Sequence, residues 1–348
     1  MTADLVGIII PIYNVENYLS ECLNSVLSQT YKNIVVIMID DGSNDNSFEI
    51  AKQFERSDSR FHAYTKVNAG VSSARNVGID LATKVYNVDF IAFIDSDDYI
   101  DKKYVETFIT ALKITKAQYG VCAYRCLTRL GLEPVEKDYP TIQELNNDQV
   151  IAQFFHISLD SGKGIKPDST TSLFLNNRFF SSKVIKKIRF DETINACEDQ
   201  DFLIRLFPFV DRGVVISEVL FYYRRRKSSL SNKPSAKEID LKVYSRLFSN
   251  ISSYPKSLRI GIQMEYINLL VQNIFDKLAS RASLKAKYKY YNEFLSNISC
   301  NFEFELNRSH KKKISLLRRG FILSIVWATF RSLTKKIRNL IRSYKFFP

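Results

Sequence analysis

Histidine is scarce in this 348-residue chain, with only His62, His156 and His310, so scattered that they contribute little to any catalytic constellation. The five cysteines (Cys22, Cys122, Cys126, Cys197, Cys300) are odd in number and lack CxxC spacing or supporting histidines. They read as reduced cytosolic thiols rather than a disulfide framework. No GxGxxG follows the first apolar run and no GxxxxGK[ST] occurs anywhere, which leaves both a dinucleotide fold and a P-loop unsupported. No apolar run reaches the about 20 residues a bilayer-spanning helix needs. The N-terminus has no positive n-region, so no secretory signal is expected. Internal repeats and low-complexity linkers are also missing.

What is present is a core-forming chain, 45% hydrophobic, with a formal charge of +13. That charge is unevenly placed. From Leu306 onward there are twelve Lys and Arg and no acidic residue, so removing those twelve leaves about +1 for residues 1–305. The near-neutral body, without aromatic and basic residues interleaved outside the tail, argues against nucleic acid as a partner.

Strand and helix patterns alternate through the first third. Strands are expected at Leu5 to Ile10, Asn33 to Ile39, Phe61 to Thr65 and the run ending at Ile94; helices are expected at Glu16 to Leu27, Ser47 to Phe54 and Ser72 to Leu81. This is a βαβαβαβ order, which predicts a parallel sheet with right-handed crossovers and ligands beyond the carboxyl ends of its strands. Beyond it the pattern predicts a helix at Lys103 to Thr115, a strand at Tyr119 to Tyr124, a helix near Asp199 to Phe207 and a strand pair, Val214 to Ile216 and Leu220 to Arg224. From about Ser235 to Phe304 the reading is helical, clearest at Ile260 to Ala279.

Asp95-Ser96-Asp97-Asp98 closes the apolar run Phe90 to Ile94. Carboxylates gathered there repel unless a cation or hydrogen-bond donors offset them, and an oxygen-only set suits Mg²⁺ or Mn²⁺. The competing structural role is that Asp95 and Asp97 end the strand while Asp98 or Asp101 caps the next helix. Other polar clusters follow the other strands: Pro11-Ile12-Tyr13-Asn14, Asp40-Asp41-Gly42-Ser43, and Asn68-Ala69-Gly70 with Arg75-Asn76. All are expected to converge on one crevice.

This order and spacing, over residues 5 to 231, resembles glycosyltransferase family 2, the inverting nucleotide-sugar transferases of bacterial surface-polysaccharide type. The resemblance implies an α/β, GT-A fold: a mostly parallel, Rossmann-like sheet flanked by helices, followed by a C-terminal helical region. It divides the chain into a nucleotide-sugar-binding half (1–100), an acceptor-binding and catalytic-base half (101–231), a helical region (232–310) and a basic tail (311–348). It implies a UDP-sugar donor, with Pro11 and Asp41 flanking the nucleobase and Asn68 reaching base or ribose. Arg75 would sit near the diphosphate, Asp95 would hold the ribose, and Asp97 would ligate Mn²⁺ or Mg²⁺. Gly42 and Gly70 read as turn devices, and Asn76 as a packing residue. An Asx-turn over Gly42-Ser43 is the alternative role for Asp41.

Glu198-Asp199 precedes an apolar helical pattern in the relation the family shows, which makes Asp199 the expected catalytic base. Favouring the helix N-terminus through the macrodipole is its competing role. Many relatives carry Gly before this pair, where this chain has Cys197. The run Tyr222 to Ser231 resembles the family's basic, serine-rich loop, and Arg226 and Ser229 are the expected diphosphate contacts, a solvated basic turn being the alternative. The Gln-x-x-Arg-Trp motif of processive synthases is absent, so the resemblance implies transfer of one sugar to a glycan or lipid-linked glycan. A GT-A protein that binds nucleotide or glycan without turnover is the alternative, which the presence of both Asp97 and Asp199 disfavours.

In the tail, Val326, Phe330, Leu333, Ile337, Leu340 and Tyr344 recur at three- and four-residue steps beside a cationic stripe. Such a helix fits the surface of an anionic membrane with Trp327 at headgroup depth, and predicts a cytoplasmic protein peripheral on the inner face of the cell membrane. A helix packed on the domain or a dimer seam competes with that reading.

Overall fold

Seven consecutive buried residues make β1 (Val6–Ile12) a strand covered on both faces, and β2 (Ile34–Asp40) is buried at all seven positions as well. Such continuous apolar runs belong to parallel sheets whose faces carry crossover helices. Those helices are α1 (Glu16–Leu27), α2 (Ser47–Ser57) and α3 (Val71–Asp80), which alternate with β3 (Phe61–Thr65) and β4 (Phe90–Phe93). β3, β2, β1 and β4 lie side by side, all parallel. α1 buries Leu19, Cys22, Leu23 and Val26, one stripe of a 3.6-residue period. α3 meets β1 closely at Gly78, where a Cβ would stand 2.4 Å from Ile9 Cγ2. A wider helical turn, Leu81–Val85, ends this crossover.

The second part of the sheet is mixed. It comprises β5 (Tyr99–Ile100), β6 (Tyr119–Thr128), β7 (Gly131–Leu132), β8 (Ile142–Asn146), β9 (Arg178–Ser181) and β10 (Arg212–Arg224), with α4 (Tyr104–Thr115), α5 (Asn147–Phe155), α6 (Ser182–Ile185) and α7 (Glu198–Leu206). The order continues from β4 through β9, β6 and β10 to β5. β9 runs antiparallel to both neighbours, whereas β10 is parallel to β6. The expected strand pair at 214–224 is instead one continuous strand, β10. Register shifts between Ile216 and Val219 and between Val219 and Phe221 break its alternation, which is why the sequence reads as two pieces.

These strands belong to a unit comprising Met1–Ile157 and Ile165–Ala236; a second unit comprises Ser158–Gly164 and Lys237–Pro348. This computed structural model describes residues 3–128, 131–132, 141–157, 175–225, 236–280 and 282–297, with Lys312, Ile314, Ser315, Leu317, Gly320, Ser324, Ile325 and Ala328. In the second unit, α8 (Ala236–Ser249), α9 (Lys256–Ala279) and α10 (Leu284–Asn297) follow one another. α9 buries Ile267, Val271, Ile274 and Leu278 along one side, and Leu258 and Ile262 on another. Tyr291 of α10 donates its hydroxyl to the Leu317 carbonyl at 2.5 Å, and Ile314, Leu317, Ser324 and Ala328 are buried. The expected amphipathic stripe of the tail, Val326 to Tyr344, and Trp327 lie outside the described residues. No described helix is long and apolar enough to cross a membrane.

Candidate functional site

At the carboxyl ends of β1 and β2 the connecting loops are stitched together. Asn14, held at φ +50°, receives the Asn44 N–H on its Oδ1 at 2.8 Å and donates its own N–H to Ser43 Oγ at 3.0 Å. Pro11 is buried within β1, one residue short of its end. Asp41, 3% exposed, accepts from the Ala69 N–H (3.0 Å), the Gly70 N–H (2.7 Å) and Lys66 Nζ (2.6 Å). Its carboxylate therefore shapes the 66–70 loop. It is Asp40 that faces the Ser43 N–H, at 3.3 Å, and receives the Thr65 hydroxyl at 3.0 Å. Gly42 and Gly70 occupy φ +73° and +90°, left-handed backbone that glycine adopts without steric cost. Asn68 is exposed beside them.

Beyond β4, carboxylate oxygens of Asp95, Asp97 and Asp98 all lie within 4.8 Å of one another. Asp98 is buried and accepts the Arg224 N–H at 2.8 Å, while Arg224 Nε donates to the Asp97 carbonyl at 2.9 Å. The end of β10 thus fixes the turn that carries the cluster. Arg224 also reaches Glu21 at 2.5 Å and lies 5.3 Å from the ring centre of Tyr18. Beneath the turn, Cys22 Sγ is 3.7 Å from the Asp95 carbonyl. Burial first, and then Asp98, Asp97 and Asp95, push that thiol well above its ordinary range, so it is a neutral filler. Three converging carboxylates with oxygen ligands only fit a hard divalent cation such as Mg²⁺ or Mn²⁺.

The second half of the site converges on Arg75 of α3, whose side chain is 2% exposed. Its Nη2 donates to Asp95 Oδ1 at 3.0 Å; its Nη1 donates to Asp199 Oδ1 at 2.7 Å and Glu198 Oε1 at 3.2 Å. The guanidinium stands 5.3 Å from the centre of the Phe190 ring, which stacks on Phe202 at 3.9 Å. Burial works against the guanidinium charge, but Asp199, Asp95 and Glu198 outweigh it and raise the pKa. Asp199 is also held by the Leu175 N–H at 3.1 Å. Burial pushes its carboxyl up to about 7 against the pull of Arg75, with Glu198 and Asp95 adding repulsion. Such a carboxylate is basic enough to take a proton near neutral pH.

Local structure explains how α7 delivers Asp199. Cys197 precedes the helix at φ +63°, the left-handed conformation that glycine favours. This gives a physical reason for the glycine expected there in relatives. Phe202 is buried against Phe93 of β4, at 6.3 Å edge-on, and against Phe190. The aromatic packing ties α7 to the strand that bears Asp95. Asn76 makes the expected packing contacts, exchanging hydrogen bonds with the Phe190 backbone at 2.8 and 3.0 Å.

The structure therefore brings Asp95, Asp97, Arg75 and Asp199 to one edge of the sheet. Arg226 and Ser229 lie outside the described residues. Sequence reasoning missed Arg224, Asn176 and Leu175. Arg224 opens the basic run at the end of a predicted strand, which was a usable signal. Asn176, whose Nδ2 donates to Asp95 Oδ2 at 2.6 Å, had none, because the antiparallel strand that brings it in was not foreseen.

Comparison with known proteins agrees with this geometry. The chain is 28% identical to the glycosyltransferase GlyA of Streptococcus pneumoniae over 355 residues, covering 97% of this chain but only 47% of GlyA. It is 27% identical to the uncharacterized glycosyltransferase EpsJ of Bacillus subtilis over 270 residues, 77% of this chain and 74% of EpsJ. The fold is that of residues 1–349 of S. aureus TarS, solved in complex with UDP-GlcNAc, at a TM-score of 0.66 and 18% identity over 96% of this chain and 92% of that one. It is a GT-A fold. The family model for glycosyl transferase family 2 matches residues 7–200, more than half of the chain, and to that family this chain belongs.

Proposed function

We propose that this chain is an inverting glycosyltransferase that moves one sugar from a UDP-sugar to a hydroxyl of a glycan or lipid-linked glycan. The observation that carries the reading is the junction of the Asp95-Asp97-Asp98 cluster with Asp199 through one buried arginine.

In this reading Pro11, Asp41 and Asn68 bound the nucleobase. Asp41 offers a carboxylate to the N3–H of uracil, on a loop that its own contacts with Ala69 and Gly70 hold in place. Asp95 faces the ribose, braced by Arg75 and Asn176. Asp97, with Asp98 and Asp95 beside it, would hold the Mn²⁺ or Mg²⁺, which when bound neutralises the charge that develops on the departing diphosphate. Arg226 and Ser229 are assigned to the same leaving group. Asp199 takes the acceptor hydroxyl proton as the oxygen attacks the anomeric carbon from the side opposite the departing UDP oxygen. One bond forms as the other breaks, so the configuration inverts. UDP binding by TarS, on the same fold, supports the choice of base. The name GlyA, covered to 47%, supports the reaction class only. The twelve cations after Leu306 support attachment to an anionic membrane, and that placement on the inner face rests on charge alone.

Thermal shift of the full chain with UDP, with and without Mn²⁺, tests the donor site. Stabilisation that requires metal and disappears in Asp97→Ala supports it, and no shift with any nucleoside diphosphate refutes it. Proton NMR of the product tests inversion, because retained anomeric configuration is incompatible with a single displacement.

A further inference from the structure

We infer that Arg75 is a positioning residue that joins the donor side of the site to its base, holding Asp95 and Asp199 in one fixed relation. This rests on the reading of Asp199 as base and Asp95 as ribose ligand.

The geometry is specific. Three carboxylates from two distant parts of the chain meet one guanidinium, with Asp95 on Nη2 and Asp199 and Glu198 both on Nη1. The planar fork sets the spacing of the two sides, which a single ammonium cannot do. Each end is braced independently. Asp95 receives Asn176 Nδ2 at 2.6 Å, Asp199 receives the Leu175 N–H at 3.1 Å, and those donors are adjacent residues at the entry to β9. Phe190 covers the guanidinium face and itself stacks on Phe202 of α7. The side chain is 2% exposed, and both terminal nitrogens donate to carboxylates while Nε is buried without a hydrogen-bond partner. Arg75 therefore acts on substrate through Asp95 and Asp199 and needs no contact with it.

A joint of this kind makes the two carboxylates interdependent. Removing the Asp199 carboxylate leaves Nη1 with Glu198 alone and lets the guanidinium resettle on Asp95 and Glu198, so a change at Asp199 is felt at Asp95. Without Arg75 the two sides become independent.

The test is a double-substitution cycle on the full chain, using Arg75→Met, Asp199→Asn and the double variant. Two quantities are read: the Kd for UDP with Mn²⁺ by calorimetry, and the rate of UDP release from UDP-hexoses with water as acceptor. Arg75→Met is expected to lower UDP release by about 100-fold in the parent and by less than about threefold in Asp199→Asn, since residues acting as a unit are non-additive. Asp199→Asn is expected to change the UDP Kd at least about threefold when Arg75 is present and not measurably when it is Met. Arg75→Lys, which keeps the charge, should keep the thermal transition yet share the loss of rate. Independent, multiplying effects in the rate and binding cycles overturn the inference while leaving the glycosyltransferase reading intact. Full activity in Asp199→Asn, or no UDP binding by the parent, overturns that reading and this inference with it.

Discussion

In Asp199→Asn a neutral amide of nearly the same shape replaces a carboxylate that folding buries. Burial, reinforced by Glu198 and Asp95, outweighs Arg75 and leaves Asp199 titrating at about 7, whereas an unfolded aspartate titrates near about 3.9. A carboxyl that holds its proton more tightly in the folded state contributes stability that is full below about pH 4 and is lost as pH rises through about 7. A gap of about 3 units, at about 1.4 kcal/mol each, sets that loss at up to about 4 kcal/mol. The amide escapes the loss. At pH 8 the variant is expected to be the more stable protein by as much as that amount, and at pH 5 by about a third of it, from the same two pKa values. With roughly 2–4 °C per kcal/mol for a unit of this size, the Tm gain at pH 8 is about 8 °C or more at the full value. Melting curves at pH 8, 6.5 and 5, in chelator and without nucleotide, measure it directly. A variant that melts below the parent at pH 8, or a difference that does not change with pH, refutes the account of Asp199 as a carboxylate strained by burial. A gain in stability on neutralising the proposed base is the expected mark of a site selected for chemistry over stability.

The same titration governs rate: the proposed base works deprotonated, so kcat/KM should fall about tenfold per pH unit below about 7, and a profile flat down to pH 5 removes Asp199 from that role. Gly78→Ala places a Cβ 2.4 Å from Ile9 Cγ2. Despite better helix propensity it should cost about 1–3 kcal/mol, read as a lower Tm, and an unchanged Tm contradicts the close packing of α3 on β1. At Cys197, φ +63° makes glycine acceptable and a β-branched residue a strain, so Cys197→Val should lose more than about 1 kcal/mol while Cys197→Gly does not. Equal melting of the two variants would show that the helix start does not depend on that conformation.

The β1–β4 half of the sheet was largely legible in the sequence because its signals are local. Apolar runs such as Asn33 to Ile39 mark buried strands, and the glycines and acids after them mark the turns. The β1–β4 order follows from right-handed crossovers. The rest depends on contacts that no local pattern encodes. β10 reads as two strands because its register shifts break the alternation, and β9 is only four residues long. The pairing of Arg75 with Asp199 spans 124 positions. Asp41 was expected toward a ligand, and the contacts it makes to the Ala69 and Gly70 N–H groups and to Lys66 Nζ are ones that sequence spacing did not announce.

The reversed direction of β9 has a consequence for how Asp95 and Asp199 are held. In a parallel sheet each strand offers the crevice its exit, as β1 to β4 do here. β9 pairs with β4 head to tail, Ala92 opposite Phe179 and Phe90 opposite Ser181, and so offers its entrance, Leu175 and Asn176. Through that entrance one short strand steadies both, the Leu175 N–H on Asp199 and Asn176 Nδ2 on Asp95, so any displacement of β9 is passed to the two carboxylates together.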